Sequence, residues 1–222
     1  MTTQRFCLDR DLLAYEPDLF GLLHLPSQVK AAAATGALSG TTFSDETADL
    51  FVVGAVAQGD VIHLTSPGGE LAGPYEVVTV TSESALEISV LRVETADDPI
   101  APPAAAGAIV WRIAMFAPQV ATVSFALCER FRLSPGDPSS ALTSADLLTA
   151  EPLRRACALG TLAAVYALWA GRAAGATWRL KAADYERLYG LACDRCHLAV
   201  DADGDGVAEE LRHAGSFRLR RT

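Results

Sequence analysis

Tyr75-Glu76-Val77-Val78-Thr79-Val80-Thr81 is a run dominated by β-branched residues, and Leu86–Val93 follows it with apolar and polar positions in alternation. Both patterns predict strands, because a pleated chain sends successive side chains to opposite faces and accommodates branching at Cβ. Ser84-Ala85 lies between them as a tight connection. Working outward, Val61–Leu64 sits between Gly59-Asp60 and Pro67-Gly68-Gly69, and Ala108–Ile113 supplies a further strand. Asp97–Gly107, with Pro99, Pro102 and Pro103, reads as a stiff loop. Short strands at this spacing predict a small β-barrel or sandwich over residues 37–114. Inside it, Asp45–Val53 reads as a short helix capped by Ser44.

The flanks are helical. Leu12, Leu13, Tyr15, Leu19, Phe20, Leu22 and Leu23 form an apolar stripe, with Asp9 or Asp11 placed to cap its start. Pro17 and Pro26 break the stripe into pieces, and a second short helix is expected through Ala31–Ala34, closed by Gly36. After the β region, helices are expected over Phe116–Leu133, Leu153–Ala174 and Trp178–Val200, with Ser144 or Thr149 capping the middle one. The fold class predicted is α+β, a helical bundle interrupted by a β module and ending in a short strand arm. The expected divisions are an N-terminal helical segment 1–36, the β module 37–114, a bundle 115–200, and an Asp/Gly turn with its arm 201–222.

Composition narrows the function. Half of the 222 residues are hydrophobic and only 17 are Gly and 11 Pro, which excludes disordered and collagen-like chains. The net charge of −9 argues against a general nucleic-acid binder, which needs surplus Lys and Arg to displace counterions. The charge is uneven. Up to Phe116 there are 5 basic and 15 acidic residues, and beyond it 13 and 12. The longest apolar run, Ala156–Ala170, falls short of a bilayer span and reads as a buried helix. Met1–Cys7 lacks the apolar stretch of a signal peptide, so the five cysteines are expected to be reduced in a cytoplasmic compartment.

No nucleophile elbow, phosphate loop or dinucleotide fingerprint is present, and His24, His63, His197 and His213 have dissimilar neighbours. No enzymatic activity is therefore expected. Cys193-Asp194-Arg195-Cys196-His197 fits the spacing for covalent haem attachment, but inside an expected helix and without an export signal it reads as ordinary helix sequence. Asp201-Ala202-Asp203-Gly204-Asp205-Gly206 is more specific. Alternate carboxylates with Gly at the sixth position match the first half of a calcium loop, making Asp201, Asp203 and Asp205 candidate ligands of a weakly held Ca²⁺. The twelfth position is Arg212 where a bidentate Glu is needed, and Glu209 and Glu210 lie out of register. The competing reading is a tight turn whose Asp side chains bond their own backbone. In the tail, Ser216, Phe217, Arg218, Leu219, Arg220 and Arg221 alternate as a strand that can add to a partner's sheet.

The chain resembles the head–tail adaptors, or connectors, of tailed bacteriophages. The likeness is carried by Leu162-Ala163-Ala164-Val165-Tyr166 closing an Ala-rich helix, by Lys181-Ala182-Ala183-Asp184-Tyr185-Glu186-Arg187-Leu188-Tyr189, and by the Asp/Gly turn and basic tail. Asp9–Phe20 is similar to the start of such proteins, and Ser39–Phe43, Gly59–Val61 and Tyr75–Val78 to small β modules of phage structural proteins. The resemblance implies a non-enzymatic virion component that assembles with itself in a ring, usually of twelve copies. It implies contact with the portal protein through the C-terminal arm, contact with a tail-proximal protein, and a channel for DNA in the virion neck. Host cytoplasm is the expected site of assembly, with no membrane and no cofactor. The alternative reading is a calcium-dependent binding module that uses the β domain.

Overall fold

A computed structural model describes residues 4–46, 50–172 and 176–214. The chain divides into two compact units, Leu8–Phe116 and Met1–Cys7 with Ala117–Thr222.

The first unit is a closed antiparallel barrel. Two short helices, α1 (Asp9–Leu13) and α2 (Leu19–Leu22), and a 3-10 turn at Pro26–Gln28 precede it. Pro17 lies between α1 and α2, Pro26 opens the 3-10 turn at its first position, and the carboxylate of Asp11 accepts the Leu8 amide at 2.8 Å at the start of α1. The strands are β1 (Val29–Ser39), β2 (Thr42–Ser44), β3 (Val61–Thr65), β4 (Ala72–Ser82), β5 (Ala85–Ser89) and β6 (Ile109–Ala114), in the order β1-β2-β5-β4-β3-β6, with β6 returning to β1. Helix α3 (Leu50–Val53) lies between β2 and β3. Phe43, Phe51, Ile62, Leu64, Leu71, Leu86, Ile88, Ile109, Trp111 and Ile113 fill the interior.

Three local expectations are corrected here. The helix expected at Ala31–Ala34 is part of β1, where Ala31, Ala32 and Ala33 pair with Ile113, Arg112 and Trp111 of β6. Pairing of this stretch with β6 outweighs the helix preference of alanine. Gly36 serves the barrel rather than ending a helix: a Cβ there would fall 2.4 Å from Phe43 Cζ. Of the helix expected over Asp45–Val53, Leu50–Val53 is helical, Asp45 and Glu46 are not, residues 47–49 lie outside the described residues, and Ser44 ends β2. Asp45 instead turns inward, accepting Trp111 Nε1 at 2.6 Å and Thr35 Oγ1 at 2.9 Å. Finally, the strand expected over Leu86–Val93 stops at Ser89, because Arg92 leaves the ladder to bind Glu76 of β4 through its amide at 3.2 Å and Nε at 2.5 Å.

The second unit is built on α4 (Ala117–Phe131), α5 (Glu151–Arg172) and α6 (Ala176–Arg195), with a hairpin of β7 (His197–Val200) and β8 (Glu210–His213). Thr149 caps α5, accepting the Glu151 amide at 3.2 Å. Helix α5 packs against both α4 and α6. Its stretch Ala156–Ala163 is wholly buried, as its all-round apolar character required. Gly160 permits the approach: a Cβ there would fall 2.8 Å from Val123 of α4 and 3.0 Å from Tyr189 of α6. The helix expected to reach Val200 ends at Arg195, and the chain turns to bury Leu198 and Val200. Gly175 and the arm Gly215–Thr222 lie outside the described residues.

Candidate functional site

The loop joining β7 to β8 carries the Asp/Gly motif. Pairing of Val200 with Glu210 sets its ends, and the Glu209 amide donates to Val200 O at 3.0 Å. Gly204 and Gly206 adopt φ of +80° and +86°, the region that glycine enters without steric cost. The four carboxylates Asp201, Asp203, Asp205 and Glu209 each bring an oxygen to within 4.8 Å of the others. Sequence spacing assigned the three aspartates, and Glu209, set aside as out of register, joins them. The signal that finds it is the loop pattern itself: counted from Asp201, Glu209 is the ninth position, another ligand position of such loops, and the hairpin sets it beside Asp201.

These oxygens are already engaged. Asp201 accepts the amides of Gly204 at 2.6 Å, Gly206 at 2.8 Å and Asp205 at 3.2 Å. Those bonds, that from Gly206 foremost, hold its carboxyl below the ordinary value. Glu209 accepts the Ala202 amide at 2.6 Å, and Asp205 accepts that of Val207 at 2.8 Å. Self-bonded Asp turns of this kind stabilise a tight loop without a cation. Arg212, at the twelfth position, donates to Phe131 O at 3.0 Å and to Arg132 O. A guanidinium suits the carbonyl-rich end of α4 because the last carbonyls of a helix lack intrahelical donors.

Among the described residues, the C-x-x-C-H side chains form no group able to hold a metal ion. Cys193 and Cys196 are buried, and burial pushes both thiols above their ordinary value. Cys196 donates to Pro152 O at 3.0 Å. His197 is exposed on β7, its ring edge-on to that of His213 with centroids 4.3 Å apart. High thiol pKa values keep the sulfurs protonated, which suits packing rather than exchange or metal binding.

Two surfaces remain. Of the described residues of α6 only Cys193 is buried, while Leu180 is 67% and Leu191 42% exposed. Where α6 meets α5, Tyr166 stacks between Trp178 and Tyr185, at centroid distances of 5.8 and 5.6 Å. The outward side of α6 mixes Arg179, Asp184, Glu186, Arg187, Asp194 and Arg195 with those leucines.

The barrel unit has four cationic side chains against fifteen acids, and every one of the four is engaged. Arg10 and Arg92 hold Glu76 at 2.5 Å each, Lys30 holds Asp60 at 2.7 Å, and Arg112 donates to His24. Asp18, Glu46, Glu70, Glu83, Glu94, Asp97 and Asp98 are exposed. The barrel surface is therefore negative.

No protein-family model, curated protein or solved structure matches this chain. Among the described residues, no helix is long and apolar enough to cross a membrane.

Proposed function

We propose that the chain is a non-enzymatic structural protein of a tailed-phage virion, the subunit of a head–tail adaptor ring in the neck. The observation that carries this reading is the outward side of α6: a twenty-residue helix that packs mainly on α5 and meets α4 through the Asp194–Arg130 ion pair, with leucines and charges of both signs exposed. Burying such a stripe against another copy is favourable by about 25 cal/mol per Å², and charges of both signs let like helices pair. The negative barrel supports the second half of the reading, because an acidic wall repels phosphate and lets DNA pass without adhering. The sequence resemblance adds the partners: about twelve copies of itself, the portal, and a tail-proximal protein, assembled in the host cytoplasm.

The test mixes the purified chain with an isolated portal and images the mixture by electron microscopy. A ring stacked on the portal is expected. A chain that stays monomeric and leaves portals bare refutes the reading. Removing Gly215–Thr222, whose Ser216, Phe217, Arg218, Leu219, Arg220 and Arg221 form the proposed portal-binding arm, is expected to leave the fold intact and abolish attachment.

A second reading, a calcium-dependent binding module using the barrel, is favoured by the four carboxylates gathered within 4.8 Å. Calcium calorimetry on the wild type and on Asp203→Ala separates the two. Heat that vanishes in the variant supports the module, and none in either removes it.

A further inference from the structure

Cys7 and Cys157 lie with their sulfur atoms 3.2 Å apart, Cys7 donating. Both residues are buried, and 150 positions separate them in the chain. Cys7 ends the N-terminal segment of the helical unit, and Cys157 occupies the second turn of α5. Their surroundings fix the pair. The Ser124 hydroxyl of α4 lies 3.4 Å from Cys157 Sγ and accepts the Phe6 amide at 3.1 Å. Phe6 is itself buried, so the segment is anchored by a side chain on one side of the thiol and by the amide bond to α4.

Buried thiols are ordinarily inert because an apolar setting disfavours the thiolate. Cys157 differs from Cys128, Cys193 and Cys196. Hydrogen bonds, that from Cys7 first, hold its thiol below the ordinary value, whereas burial raises the other three. The gap to a covalent bond is small: a disulfide needs ~2.05 Å, an approach of ~1.2 Å from the observed separation.

We propose that Cys7 and Cys157 are a disulfide-forming pair, closed by a low-molecular-weight disulfide to clasp the N-terminal segment onto α5. The chemistry is two successive exchanges. Transient local opening that breaks the Phe6–Ser124 bond exposes Cys7. Its thiolate attacks one sulfur of the small disulfide, forming a mixed disulfide and releasing one small thiolate. As the segment returns, the Cys157 thiolate attacks the Cys7 sulfur and expels the second small thiolate. The two protein thiols lose two electrons, the small disulfide gains them, and the two released thiolates take up the two protons. The bond closes a covalent loop that contains the entire barrel unit, Leu8–Phe116. Such a long loop removes much of the freedom of the unfolded chain. The inference does not rest on the adaptor reading.

The test incubates the full chain with oxidised glutathione, quenches with acid, counts thiols in denaturant and maps cross-linked peptides by mass spectrometry. The five thiols are expected to fall to three, with one pair joining Cys7 to Cys157 and a reductant restoring all five. Cys7→Ser is expected to keep its four remaining thiols. Retention of five thiols overturns the proposal, as does a glutathione adduct with no internal bond, or a bond between Cys193 and Cys196 instead. The wild-type map and Cys7→Ser decide the matter even where Cys157→Ser folds poorly.

Discussion

Arg112 donates a hydrogen bond from Nη1 to Nε2 of His24 across 2.8 Å. A guanidinium has no acceptor, so this imidazole nitrogen is unprotonated. His63 faces Arg112 across the β3–β6 pair, and a Cβ on Gly21 of α2 would fall 2.9 Å from its ring. Burial, and then the Arg112 charge, hold both imidazoles below their ordinary value, with Asp18 opposing at His63. The unfolded chain therefore takes up these protons first as pH falls through about 6.5. The stability they contribute is complete above that pH and declines below it. Thermal melts from about pH 8 to pH 5 are expected to show a falling Tm. The double variant His24→Gln, His63→Gln is expected to flatten the decline, and an unchanged slope contradicts the assignment.

Glu76 is fully buried with an arginine on each oxygen. Removing one partner of a buried ion pair leaves charge without compensation, at a cost of about 3–5 kcal/mol. Glu76→Ala strands two guanidiniums and releases Arg92, so barrel stability in urea is expected to drop by at least that amount. Glu76→Gln, which keeps an acceptor, is expected to lose less.

Gly36 leaves room for the Phe43 and Trp111 rings, the latter 2.9 Å from a notional Cβ. Gly36→Val is expected to destabilise the barrel by about 1–3 kcal/mol, since packed rings yield only at the expense of their neighbours. The near-ultraviolet circular dichroism of Trp111 is the accompanying readout, and an unaltered spectrum with unaltered stability refutes this account.

Leu180→Glu combined with Leu191→Glu tests the outward side of α6. Both side chains are exposed in the single chain, so stability is expected to change by no more than about 0.5 kcal/mol per site. If the chain forms the ring proposed above, its assembly, followed by sedimentation velocity, is expected to be lost. Rings that persist in the double variant place the subunit contact elsewhere.

The legible parts of the fold were those that local chemistry specifies. Val77, Thr79 and Val80 branch at Cβ, Pro17 and Pro26 remove donors, and the uniformly apolar middle of α5 has no side to give to water. The Asp/Gly loop was legible as well, because Gly204 and Gly206 are needed wherever φ turns positive. Glu209 was legible in the same pattern, as its ninth position; what the pairing of Val200 with Glu210, ten positions apart, decided is that its carboxylate lies beside Asp201.

The sequence by itself determined the kind of chain this is: a β module between helices, with its acids concentrated before Phe116. Tertiary structure alone decided that Ala31–Ala34 would be strand, that Asp45 would face Trp111, and that Cys7 would meet Cys157. The reason is physical. Intrinsic preferences differ by well under 1 kcal/mol per residue, whereas closing a barrel or burying a side chain recruits groups far apart in the chain, and those larger gains override the local choice.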